Sequence, residues 1–145
     1  MRKLSVFIAA AACAISQPAF ADIGRIKNVT TGVQIIRDGQ TISARSGLRL
    51  EQGDIVRTGR RGRVGITMSD DTRMAVGPNS EIVLDEYEYN RRQQRGRAVT
   101  RVNRGSLGVR SGNITRTGNQ RSMRVRTPTS TLGVRGTTFV VEVQG

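Results

Sequence analysis

The chain has 145 residues, 36% of them hydrophobic and only 3% aromatic, with a formal net charge of +13 at pH 7. It contains no His and a single Cys, which removes the commonest general base and any intrachain disulfide. No GxSxG, Ser-x-x-Lys or phosphate-loop pattern opens another route to catalysis, so a non-enzyme without cofactor or metal is predicted.

The first 21 residues read as a signal peptide. Arg2 and Lys3 give a positive start, Leu4 to Ile15 are almost all apolar, and Ala19-Phe20-Ala21 supplies small residues for cleavage before Asp22. The apolar stretch is shorter than the roughly 20 residues of a spanning helix. Lipidation at Cys13 is the competing reading, but only alanines stand immediately before it. The expected product is a periplasmic or secreted protein of Gram-negative type. It has no cysteine and no transmembrane segment, and it is long enough for one domain.

Among the larger apolar side chains that follow, Val and Ile dominate and only five are Leu. Branched side chains suit a pleated surface, so the composition predicts strands. Residues 22–52 open with a hairpin in which Val33, Ile35 and Ile42 flank an Asp38-Gly39 turn. Gln52-Gly53-Asp54 turns, and Ile55 to Thr58 is a short strand. Then Val64, Ile66 and Met68, Met74 and Val76, and Ile82 and Leu84 alternate across turns at Ser69-Asp70-Asp71 and Gly77-Pro78-Asn79-Ser80. Further strands are expected at Ala98 to Asn103, Ser106 to Ser111 and Met123 to Thr127, punctuated by Gly105, Gly112 and Gly118. No window carries a helical period. The reading is an all-β single domain, short-stranded and solenoid-like or sandwich-like.

The last elements form the sharpest local feature. Pro128 marks a strand edge or start, Leu132 and Val134 share a face, and Phe139, Val141 and Val143 alternate with the opposite parity. Gly136 lies within that switch and can supply the positive φ of a bulge or corner. Phe139, the only Phe outside the first 21 residues, is expected to close the core.

Three segments together are similar to the FecR domain family: Gly53-Asp54-Ile55-Val56-Arg57-Thr58-Gly59, Asp71 through Pro78-Asn79-Ser80 to Leu84, and Thr127-Pro128 through Gly133-Val134-Arg135-Gly136-Thr137-Thr138-Phe139. The resemblance spans 53–143. It implies an all-β, solenoid-like periplasmic module. In the best-known members that module belongs to a transmembrane regulator carrying a signal from an iron-siderophore receptor to a sigma factor. Here neither an anti-sigma segment nor a receptor-docking domain is expected, so what carries over is the fold and a binding or regulatory role.

Charge supplies the candidate surface. Glu81, Asp85, Glu86 and Glu88 form an acidic cluster, whereas no acid interrupts the arginines from Arg91 to Arg135. Arg91, Arg92, Arg95 and Arg97 crowd one loop, and Arg124 and Arg126 alternate with Met123 and Val125 toward solvent. In Asp85-Glu86-Tyr87-Glu88-Tyr89 a strand would put Tyr87 and Tyr89 on one face and Glu86 and Glu88 on the other, which splits the candidate ligands, so packing tyrosines and ion-paired acids are expected there rather than a cation site. The arginines suit an acidic protein, lipopolysaccharide, a wall polymer or another anionic ligand. Nucleic acid is disfavoured by the export signal and by the scarcity of stacking aromatics, limited to Tyr87, Tyr89 and Phe139. The predicted role is envelope sensing or regulation through an unidentified protein partner. The alternative is a structural envelope protein held by its arginines to anionic lipid or wall polymer. Intact-mass measurement of the exported protein is expected to find a chain starting at Asp22; a species retaining Met1 refutes the signal-peptide reading.

Overall fold

A computed structural model describes residues 22–116, 122–136 and 138–145; the predicted signal peptide and Gly118 lie outside them. The chain is all-β, a curled antiparallel sheet in the form of a half-barrel, with one short 3₁₀ turn at Asn113–Thr115. Its strands are β1 (Gly24–Val29), β2 (Val33–Arg37), β3 (Gln40–Ser43), β4 (Arg49–Leu50), β5 (Ile55–Thr58), β6 (Val64–Met68), β7 (Arg73–Val76), β8 (Glu81–Asn90), β9 (Arg95–Arg110), β10 (Met123–Arg126), β11 (Thr131–Val134) and β12 (Thr138–Val143).

β9 is the spine. The sequence predicts two strands broken at Gly105, but the structure has one strand of 16 residues in which Gly105, at φ +88°, bends the chain without ending it. Along one edge of β9, β8 pairs with its first half and β7 with its second, end to end and both antiparallel to it. Along the other edge, β10 runs parallel to 98–101 and β12 antiparallel to 105–110. Two leaves grow from this shared strand. The first continues from β7 through β6 and β1 to β4, and the second from β8 through β5 and β2 to β3. Residues 22–52 supply strands to both leaves, β1 and β4 to the first and the β2–β3 hairpin to the second.

The junction is held by small polar groups. Thr58 Oγ1 donates to the Gly77 carbonyl (2.6 Å) and accepts from the Ser80 N–H (2.9 Å), while Ser80 Oγ accepts from the Ser106 N–H (3.0 Å). A Cβ on Gly105 would collide with the Ser80 side chain at 2.0 Å, so glycine is required there for space as well as for φ.

The alternation read from the sequence defines the inward face. Val64, Ile66, Met68, Met74, Val76, Ile82 and Leu84 are all buried. Paired rows such as Ile35–Val56–Ile82–Val102 in the second leaf and Ile66–Met74–Val109 in the first belong to one core cluster. The hairpin at Asp38-Gly39 has positive φ at both positions (50° and 76°), as a two-residue turn of this hand needs.

A polar lock joins the leaves. Asp70, in the β6–β7 turn, is fully buried. Its carboxylate accepts from the Tyr87 hydroxyl (2.8 Å), the Thr72 hydroxyl (2.7 Å), the Thr72 N–H (3.3 Å) and the Ile114 N–H (3.1 Å). The Tyr87 oxygen in turn accepts from the Asp70 N–H (2.9 Å). The sequence suggests a plain hairpin turn here; the burial of Asp70 is a finding of the structure. A second lock pins the far end of the second leaf, where Arg37 grips buried Asp54 through two bonds of 2.9 and 2.7 Å.

The C-terminal stretch departs in part from expectation. Gly136 does take positive φ (62°), and a Cβ added there would meet nothing within 4 Å, so its requirement is conformational. Pro128 sits in the β10–β11 turn, where the Thr127 N–H donates to the Ser130 carbonyl (2.8 Å), rather than at a strand start. Gly133 lies within β11, opposite Arg124. Phe139 extends the row Ile66–Met74–Val109 but is only half-buried, because among the described residues β12 is the outermost strand of its leaf. It packs against the rim of the core instead of closing it. Leu132 is exposed (43%) although Val134 on the same face is buried.

Three stability outcomes follow, each measurable by denaturant titration. Gly136→Val is expected to cost about 1–2 kcal/mol, the penalty of a branched residue in left-handed backbone. Phe139→Ala is expected to cost roughly 1–3 kcal/mol, below the range for a fully buried Phe. Tyr87 carries a pH signature. Burial first, and then the adjacent Asp70 charge, raise its phenol well above the ordinary value near 10. Its stabilising contribution is therefore intact below about pH 10 and falls by about 1.4 kcal/mol per pH unit above it, because the unfolded chain releases a proton that the folded one keeps. Tyr87→Phe is expected to be less stable at neutral pH and to lose that alkaline slope.

Candidate interaction surfaces

Strand alternation places Arg95, Arg97 and Arg101 of β9 on the outward face of the second leaf. Parallel pairing sets Arg124 beside Val99 and Arg126 beside Arg101, so the two β10 arginines join the same face, with Met123 and Val125 buried beneath. Four of the arginines singled out in the sequence, Arg95, Arg97, Arg124 and Arg126, are thus brought together, and Arg101 is added to them.

Arg91 and Arg92 are not part of that face. They occupy the β8–β9 hairpin tip, where Asn90 Oδ1 accepts from the N–H of Arg92 (3.0 Å) and of Gln93 (3.2 Å). Arg91 borders a separate cleft shared with Asp71.

The acidic cluster partly neutralises the basic face. Glu86 pairs with Arg97 (3.0 Å) and Asp85 with Arg101 (3.0 Å). Glu81 accepts from Asn103 (3.0 Å) and Arg57 (3.1 Å), and those contacts, the Asn103 bond foremost, hold its carboxyl below its ordinary range. Tyr87 is buried and Tyr89 packs against the core, opposite to Glu86 and Glu88 as alternation requires, whereas Asp85, of the tyrosines' parity, reaches Arg101 because the register of β8 shifts between Leu84 and Glu86. Arg95, Arg124 and Arg126 have no acidic partner among the described residues. These three carry the charge available to a ligand.

Sequence reasoning missed a second basic row. Register aligns Arg49, Arg25, Thr67, Arg73, Arg110 and Thr138 across all six strands of the first leaf, on its outward face. These residues are scattered through the chain from position 25 to position 138, and only pairing reveals that they stand side by side.

An open edge completes the inventory. Among the described residues β12 is paired only with β9, and β11 only with β10. Leu132 at 43% exposure and Val140 at 69% are the two large hydrophobic residues identified as exposed among the described residues. Both line a cleft of about 470 Å³ between the β10–β11 turn and β12. No helix among the described residues is long and apolar enough to cross a membrane.

A family model described as FecR protein matches residues 54–145, from the start of the second leaf's inner strands to the end of β12. The chain belongs to the FecR family. No curated protein and no solved structure matches it. The FecR family is an envelope-associated signalling and regulatory one, and its role implies protein contacts. In this FecR domain the matched region contains β9, both neighbours on each of its edges, and the open strands β11 and β12.

Proposed function

We propose that this FecR domain is a non-enzymatic periplasmic module that regulates by docking a protein partner along the open edge of β12. One observation carries the reading. An unpaired strand edge adjoins a cleft whose walls expose Leu132 and Val140, the pairing of backbone donors and apolar anchors by which strand addition gains affinity and selectivity. The family's regulatory role supports it, and siderophore-linked envelope signalling is the setting that the family motifs suggest. The unpaired arginines Arg95, Arg124 and Arg126 would steer an acidic partner toward this side of the molecule. Arg91 and Arg92, at the hairpin tip, extend the same positive field.

The alternative, attachment to anionic lipid or wall polymer through these arginines, differs in its salt response. Surface charge contacts are released near ~0.5 M salt, where the screening length falls to about 4 Å, whereas strand pairing persists. A photo-cross-linking residue in place of exposed Glu142 on β12 is expected to capture one protein in intact cells. That product should survive a high-salt wash and be lost in Leu132→Asp. Capture unaffected by Leu132→Asp, or release of all cell-bound protein by salt alone, overturns strand docking.

A further inference from the structure

The outward face of the first leaf carries a trough that shares only Val140 with the strand-docking cleft. Its floor follows one register row across five strands: Asn28, Gly65, Ala75, Gly108 and Val140. Because Ala75 and Gly108 have at most a methyl group, the sheet surface is depressed there, whereas Gly65 gives its space to the Asn28 amide; the resulting cavity of about 530 Å³ extends from β1 to β12. That size falls in the range of small-ligand sites. With strands about 4.8 Å apart, the trough is roughly 19 Å long.

Cations surround it. The next row on one side carries Arg25, Arg73 and Arg110, and Arg63 lines the opposite side. None of these four has an acidic partner among the described residues, and Glu142 is the one acid of the strands on this face. The field is therefore positive, uncompensated and set beside an apolar floor.

The floor decides between classes of anion. The central strands β6, β7 and β9 are paired on both edges here, so their backbone groups are used within the sheet. Ala75 and Gly108 offer only carbon outward, while the Asn28 amide lies over Gly65 at one end and Thr30, Arg63 and Ser106 stand at the margin. A polypeptide or sugar chain laid along Ala75 and Gly108 would leave the polar groups facing that floor without partners, which is costly. A hydrocarbon chain has none to satisfy and gains from burial. An anionic head would then meet the arginine row, whose guanidinium groups match phosphate oxygens.

We propose that the outer trough of the first leaf binds a phosphate-headed lipid, its acyl chain over Ala75 and Gly108 and its phosphate on Arg73 and Arg110. This does not depend on strand docking at β12, and its tests leave Val140 and Leu132 untouched.

The probe is lysophosphatidylglycerol below its micellar concentration, titrated calorimetrically into the full exported chain, with lysophosphatidylcholine as the neutral-headgroup control. Expected are saturable 1:1 binding of the anionic lipid and at least tenfold weaker binding of the control. Ala75→Phe, which fills the trough from an exposed position, should weaken binding at least tenfold. Arg73→Gln with Arg110→Gln should do the same without altering the fold, since both side chains are exposed. Arg124→Gln with Arg126→Gln, on the other leaf, should leave it unchanged. If Ala75→Phe fails to fold by circular dichroism, Gly108→Ala replaces it, because a Cβ there makes only ordinary contacts, the nearest at 3.8 Å. It should weaken binding measurably. Equal binding of both lipids, no binding of the monomeric lipid, undiminished binding in the trough-filling variant, or loss through the Arg124/Arg126 pair would each overturn the proposal.

Discussion

The buried carboxylate of Asp70 is the interaction on which the two-leaved architecture depends. Its turn belongs to the first leaf, Tyr87 to the second, and Ile114 to the segment leaving the spine strand, so one side chain ties three parts of the chain distant in sequence. A buried ionised group is tolerated only when its hydrogen bonds are satisfied, and here four donors converge on it. The lock therefore selects a single docking of the leaves, since any slippage would strand a charge in the core. Apolar contacts between the leaves supply most of the stabilisation, but they are less selective about register.

The shared strand β9 sets where functional groups can lie. By pairing with four partners, two on each edge, it converts local alternation into two outward faces of different character. On the second leaf, arginines are interleaved with the acids of β8, and only some of the charge is left over. On the first leaf Arg49 pairs with Asp22 (3.0 Å) but Arg25, Arg73 and Arg110 have no acidic partner among the described residues, and small residues line the adjacent row. β12 borders both the open edge and the trough through Val140, so protein docking and lipid binding would be felt by the same strand.

Much of this was legible from residues alone where period and turn chemistry are local. The alternating pairs from Val64 to Leu84 declared the inward face, Asp38-Gly39 declared a hairpin, and Gly136 declared a left-handed corner. Parity separated Tyr87 and Tyr89 from Glu86 and Glu88, but not Asp85, which the register shift in β8 turns outward. Gly105 misled, because a glycine with positive φ can bend a strand that pairing on both sides keeps continuous. Phe139 misled for a related reason. Its parity was right, but parity cannot say that β12 would be the outermost strand of its leaf among the described residues.

The sequence by itself determined an all-β chain, the identity of its inward-facing residues, its family motifs and its excess of arginine, since each follows from side-chain type or from spacing within a few residues. Only the tertiary structure decided which arginines are neighbours, that Asp70 is buried, that β11 and β12 keep open edges, and that Gly65, Ala75 and Gly108 align into one trough. Those properties depend on register between strands that lie far apart in the chain. Register is set by the whole core settling at once, and no local pattern encodes it.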